Sequence, residues 1–171
     1  MPLRNLTIKV IEGKIEFVTG HDAIVNAANA QLGIGSGVNG TIRNRILAVG
    51  GRDNLKALDA ELAMRKAKHC RKLGYDNLEL KAGDVVRTAA YGLSCNGIIH
   101  AVAPICTGNA DKTKLTGHQH HRLWAAYYNV LRNARIHGWR SVAFPFLGIG
   151  IYGVPAESGM RIALQGIFCA L

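Results

Sequence analysis

Two short apolar runs constrain this chain more than anything else in it. Ala23-Ile24-Val25 is one, and Ile98 to Val102, interrupted only by His100, is the other. Runs of this length without polar alternation belong to strands covered on both faces. A sheet covered twice needs helices on each side, and the helical signals lie between the runs. Leu123, Tyr127, Val130, Leu131 and Ala134 mark one buried helix face, with Gly138 placed to end it. Leu55, Leu58 and Leu62 begin a second stripe on a segment that runs to about Leu73 and Gly74. Further helices are expected from about Val38 and about Pro155. Leu6, Ile8 and Val10 alternate with Thr7 and Lys9 and predict a half-buried strand. Ser141 to Phe146 predicts another, and Leu78-Glu79-Leu80 a weaker one. Strands alternating with helices give an α/β class, with a parallel or mixed sheet between helical layers. No linker or repeat divides the 171 residues, so one domain over 1–171 is expected.

The charge narrows the partners. Twenty-one Lys and Arg against 11 Asp and Glu leave a formal charge of +10. Such a surface attracts phosphates, whether on nucleotides, nucleic acid or anionic surfaces. No apolar stretch approaches the roughly 20 residues of a membrane span. The amino terminus has no apolar signal core, and a cytoplasmic or nuclear protein is the expectation. Cys70, Cys95, Cys106 and Cys169 are too scattered for a metal framework and read as reduced thiols. His118, His120 and His121 lie close together, but no cysteine or carboxylate stands at ligand spacing, and no metal site is assigned. His100, on its apolar run, reads as a core histidine.

Glycine carries the functional signal. Gly33, Gly35, Gly37 and Gly40 crowd one stretch, and Gly148, Gly150 and Gly153 another. Each follows an apolar strand and precedes a helix. Loops of this kind turn main-chain N–H groups outward, and helix N-termini add a field that favours anions. Two of them at strand ends could grip a diphosphate from either side. The stretch Gly35-Ser36-Gly37-Val38-Asn39-Gly40 formally reads GxGxxG, but it begins about nine residues after its strand and no acidic strand end follows. The dinucleotide fingerprint is therefore rejected. Between strand and loop stand Asn26-Ala27-Ala28-Asn29. A carboxamide offers a donor and an acceptor together, which suits a sugar diol, and small alanines allow close approach. Either asparagine could instead bond its own loop.

Three separated segments now resemble the macro domain family. They are DAIVNAAN at Asp22–Asn29 with the glycines of GIGSGVNG, IIHAVAP at Ile98–Pro104, and LWAAYYNVLRNARIHG leading into RSVAFPFLGIGIYGVP. The resemblance implies a three-layer α/β/α sandwich with a mixed central sheet and a cleft for ADP-ribose. It implies binding of ADP-ribose or ADP-ribosylated proteins, and hydrolysis of mono-ADP-ribose from acidic side chains by a water nucleophile, without a cofactor. By position, Asn29 would bond the distal ribose and Asn26 would orient the loop. Gly35, Ser36, Gly37, Val38 and Asn39 would lie against the diphosphate and distal ribose. Gly148, Ile149, Gly150 and Ile151 would present amides from the other side, and Tyr152 would pack on the distal ribose. Asn29, Asn26, Gly37 and Tyr152 form the expected catalytic set.

Three positions depart from the family pattern. Lys14, before Ile15, stands where an Asp usually accepts from the adenine amino group, and lysine cannot accept. Asn39 replaces an Asp that cellular hydrolases often carry, although some viral members also lack it and still hydrolyse. The chain ends at Leu171, where family members generally continue into another strand and helix, so the expectation is a fold without that strand and helix, in a fragment of a longer protein or in a chain that has lost the element. Two other readings remain: a reader module that binds ADP-ribose without cleaving it, and a nucleic-acid binder using the basic surface. The absence of an aromatic-rich strand speaks against the second.

Overall fold

The computed structural model describes residues 7–171. Its sheet is built on β1 (Ala23–Ala28), which pairs in parallel with a strand on each side. One neighbour is β3 (Gly97–Val102), in register from Ala23 opposite Gly97 to Ala28 opposite Val102. The other is β4 (Val142–Ala143), held only at Ala23 and Ile24. β2 (Val85–Thr88) closes the far edge, antiparallel to β3, so the order is β2-β3-β1-β4. The sheet is mixed and the strands are short.

Helices cover both faces. On one side Ile24, Ala28, Ile98 and Val102 meet Ile42, Ile46, Leu58 and Leu62 of α1 (Gly37–Leu73). On the other, Val25, Ile99 and Ala101 meet Leu123, Tyr127 and Val130 of α2 (Gly117–Ile136) and Ile162 of α3 (Ala156–Cys169). This is the three-layer α/β/α sandwich expected from the sequence. α2 begins on a capping box, Thr116 accepting from the Gln119 amide and Gln119 returning the bond. Its chain leaves through Gly138 at φ 71°.

Several elements differ from the sequence expectation. The two helices expected near Val38 and Leu55 are continuous in α1, with one break at Gly51 (φ 69°, ψ −169°). Only glycine adopts that conformation readily. Across the break Arg43 grips Asp59 with two bonds of 2.8 and 3.0 Å. Leu6 lies outside the described residues, and residues 7–10 form no strand. Val10 is 85% and Ile11 62% exposed, so the alternating pattern finds no ladder partner here. The strand expected over 141–146 shrinks to two residues, because only Val142 and Ala143 find partners on β1. Leu78-Glu79-Leu80 is not a strand. Leu80 is buried, but its amide bonds the Ala30 carbonyl of the first loop instead of a strand ladder. β2, which the apolar pattern did not mark, supplies the edge.

The basic run of α1 divides. Lys56, Lys68, Arg71 and Lys72 are exposed, whereas Arg65 pairs with Glu61 and Lys66 reaches the Gln31 carbonyl at 2.9 Å. Replacing Gly51 by Ala forces a side chain into the left-handed break and should destabilise the fold by about 1–3 kcal/mol. Urea unfolding measures this, and an unchanged midpoint would show that the break relaxes freely.

Candidate functional site

β1 and β4 run parallel, so their carboxyl ends open at the same edge of the sheet. The two glycine loops leave from there. The first runs from Asn29 to Ser36, the N-cap of α1, and the second from Phe144 to Pro155, the N-cap of α3. Neither cap residue makes a side-chain bond to its helix. The amides of Gly37 and Val38 fall in the first turn of α1, where a helix has no acceptor of its own.

The first loop is held from within. Asn29 Oδ1 accepts from the Gly33 amide at 3.0 Å, and its Nδ2 reaches the Ile34 carbonyl at only 3.4 Å. The Asn29 carbonyl accepts from Leu32, whose φ is 56°. Asn29 is thus a loop residue whose amide nitrogen is weakly engaged. Asn26 is 2% exposed; its Nδ2 donates to Asn39 Oδ1 at 3.0 Å. Asn39, 6% exposed, donates in turn to the Gly33 carbonyl at 2.9 Å. Both ends of the Asn39 side chain are therefore occupied in holding the loop. Gly35 passes directly over them: a Cβ there would stand 2.7 Å from Asn39 Nδ2. No side chain larger than hydrogen fits without moving that amide. An open cavity of about 450 Å³ adjoins this loop, lined among others by Ile34, Gly35, Ser36, Gly37, Arg43 and Leu55.

The second loop closes on itself through Val154 N to Gly148 O at 2.9 Å and Gly153 N to Gly150 O at 3.0 Å. The amides of Ile149, Gly150 and Ile151 take no part in those closing bonds. Gly148 has φ 80°, and a Cβ there would meet Val154 at 2.6 Å. The base of the loop is pinned by the buried Leu147 amide, which donates to Tyr127 Oη at 2.9 Å. Burial pushes the Tyr127 phenol up to about 12, so it stays protonated. Tyr152 is half-buried against the α2–α3 side of the core, and burial raises its phenol too. Its carbonyl accepts from the Cys106 amide at 2.6 Å, tying the loop to the chain leaving β3.

The structure therefore gathers Asn26, Asn39 and, through Gly33, Asn29 into one bonded unit beneath Gly35 and orders the loop of Gly148, Ile149, Gly150, Ile151 and Tyr152 at the neighbouring strand end. The other two positions lie before β1. Ile15 begins a single 3-10 turn (Ile15–Phe17) and, like Val38, packs against the core cluster on the α1 side. Lys14 is exposed. Sequence reasoning missed Tyr127 as a support for the second loop. Its helical spacing marked only a core face, and nothing local announces that its hydroxyl meets Leu147. His118 and His121 are engaged on α2, by Arg122 and by stacking on Trp124. Among the described residues no three His, Cys, Asp or Glu side chains gather as a metal site.

Comparison with known proteins identifies the family. The family model of the Macro domain matches residues 25–163. A macro domain-containing protein of Streptomyces griseus is 38% identical over 146 residues, covering 85% of this chain and 71% of that protein. An O-acetyl-ADP-ribose deacetylase of Cronobacter sakazakii is 33% identical over 160 residues, covering 94% of this chain and 76% of that protein. Among solved structures, the Oceanobacillus iheyensis macrodomain with ADP superposes with a TM-score of 0.68 at 32% identity, over 92% of this chain and 72% of that one. The chain belongs to the macro domain family.

Tyr127→Phe removes the acceptor of a buried amide and should cost about 1–3 kcal/mol. Thermal unfolding of the variant measures it. Hydrogen exchange at Leu147 should quicken beyond that at Leu123, and equal acceleration at both would show that the hydroxyl does not pin the loop.

Proposed function

We propose that this chain binds ADP-ribose between its two glycine loops and hydrolyses the ester that joins the distal ribose to an acidic side chain. The observation that carries the reading is the bonded unit of Asn26, Asn39 and Asn29 beneath Gly35, at the same sheet edge as the second loop. Related proteins supply the ligand class: one is named an O-acetyl-ADP-ribose deacetylase, and the Oceanobacillus iheyensis macrodomain was solved with ADP. An acetyl ester of ADP-ribose and a glutamyl ester of it each carry an acyloxy group on ADP-ribose, which supports the choice of ligand class rather than of mechanism.

In this reading Gly35, Ser36, Gly37 and Val38 offer amides and the α1 terminus to one side of the diphosphate. Ile149, Gly150 and Ile151 offer amides to the other. Asn29 swings its weakly held amide to a hydroxyl of the distal ribose, and Tyr152 covers that sugar. A water held between the first loop and the diphosphate attacks the anomeric carbon. The carboxylate of the target leaves with the bonding electron pair, and the water's proton passes to solvent or phosphate. The chain contributes position and electrostatics, because Asn39 spends both ends of its amide on the loop and cannot act as a base. Lys14 and Ile15 lie toward the base end, where lysine donates rather than accepts.

The same state of Asn39 favours a second reading, a module that binds ADP-ribose without cleaving it. Calorimetry and release of label from a glutamate-modified protein separate the two. Binding with turnover supports hydrolysis, binding without turnover selects the reader, and no binding contradicts both. Asn29→Ala should lower turnover about 100-fold with little loss of stability; undiminished turnover would remove Asn29 from the mechanism.

A further inference from the structure

His100 sits in the middle of β3, opposite Asn26 of β1, and is 2% exposed. Its ring is bonded at both nitrogens. Nδ1 lies 3.0 Å from Asn26 Nδ2, and Nε2 lies 2.9 Å from the hydroxyl of Thr88, which is fully buried at the end of β2. That hydroxyl lies 3.0 Å from the Ala89 carbonyl. With the bonds from Asn26 to Asn39 and from Asn39 to Gly33, a single chain of polar groups crosses the interior. It begins at the Ala89 carbonyl and ends at the Gly33 carbonyl in the first glycine loop.

Both ends are main-chain carbonyls, which only accept. This fixes the direction of every bond between them. Gly33 O must receive an N–H, so Asn39 presents Nδ2 to it and Oδ1 to Asn26. Asn26 must then donate, and it presents Nδ2 to both Asn39 and His100. His100 Nδ1 therefore accepts, and its proton resides on Nε2. That proton is donated to Thr88, whose own hydroxyl proton goes to Ala89 O. Reversing any one link places two acceptors or two donors against each other in a buried site. A cationic ring would oppose its Nδ1 proton to the Asn26 amide. Burial, the dominant influence, lowers the ring's affinity for a second proton to a pKa of about 3; Arg43 adds to this and Glu61 opposes it.

We propose that His100 is a positioning residue for the site: its neutral ring, acting through the amides of Asn26 and Asn39, sets the orientation of the Gly33 carbonyl and so the shape of the first glycine loop. The same polarity leaves Asn26 Oδ1 as a buried acceptor with no donor among the described residues, because both amide hydrogens are committed to the chain. The consequence for ligand affinity rests on the ADP-ribose reading above. The bond directions do not.

The test joins a spectroscopic arm to a binding arm. Long-range proton–nitrogen correlation spectra of the wild-type chain at pH 7 should show the His100 ring as the Nε2–H tautomer. An Nδ1–H or cationic ring overturns the proposal, whatever the chain binds. In calorimetry with ADP-ribose, His100→Phe keeps the bulk and removes the acceptor, and should weaken binding about tenfold. His100→Asn, which puts an oxygen near the place of Nδ1, should recover most of that loss. In an Asn26→Ala background the same His100→Phe change should cost less than about threefold. Unchanged affinity in His100→Phe, or an equal loss in both backgrounds, overturns the proposal. Should the wild type not bind ADP-ribose, the proposed function fails and the loop resonances decide instead. Shifts at the Asn39 side-chain amide and the Ile34 backbone amide in His100→Phe support the proposal, and unmoved resonances overturn it. Should His100→Phe not fold, Thr88→Val is read at the same resonances with the same two outcomes.

Discussion

β1 is paired on both edges and covered on both faces, and the site depends on that. Six residues, Ala23 to Ala28, are gripped by β3 along their full length and by β4 at the start. The strand cannot shift by one residue without exchanging its faces. Asn26 is thereby committed to the side of α1, where Asn39 waits in the first turn of that helix. Three residues on, Asn29 has left the sheet, its Oδ1 held by the Gly33 amide and its Nδ2 only weakly engaged. One strand thus delivers a buried amide that builds the loop and a weakly held amide that can read a sugar. The second loop follows from the same pairing, because β4 is parallel to β1 and must release its chain at the same edge.

The arrangement explains why the glycines are where they are. Gly35 lies against the Asn39 amide, and Gly148 turns with positive φ against Val154. In both places a side chain would occupy space the loop itself needs. Other glycines of the two stretches, Gly37 and Gly150 among them, have open space around a would-be Cβ. Gly37 adopts φ 58°, which itself favours glycine, and in the proposed reading both leave room for main-chain amides to approach a partner. Basic charge alone would not select that partner. The exposed lysines and arginines of α1 attract any polyanion, whereas paired loops of amides beside carboxamides fit a short diphosphate joined to a sugar.

Much of this was legible in the chain itself, and the limits are physical. The doubly covered strands declared themselves in Ala23-Ile24-Val25 and Ile98 to Val102, because burial on both faces leaves no polar alternation. The helix stripes of Leu123 to Ala134 and Leu55 to Leu62 were equally plain. The break at Gly51 was hidden, since one glycine among the four of α1 does not reveal its φ. β2 was missed because Val85 to Thr88 is an edge strand carrying Arg87, too short and mixed to give a period. Residues 7–10 show the converse error: alternation reveals which face a strand would bury, but not whether a partner exists. Within the site, the asparagines and glycines could be picked out by type, but the direction of their bonds could not. It follows from the Ala89 and Gly33 carbonyls at the two ends of the polar chain, which the fold links through Thr88 and His100 of other strands.

The central claim is that the two glycine loops together form the ligand's seat. Titration of the isotope-labelled chain with ADP-ribose, followed through its backbone amides, tests this directly. The account predicts saturable shifts at Gly35, Gly37 and Val38 of the first loop and at Ile149, Gly150 and Ile151 of the second, at one common dissociation constant. Shifts confined to the basic face of α1, or to one loop alone, would contradict it.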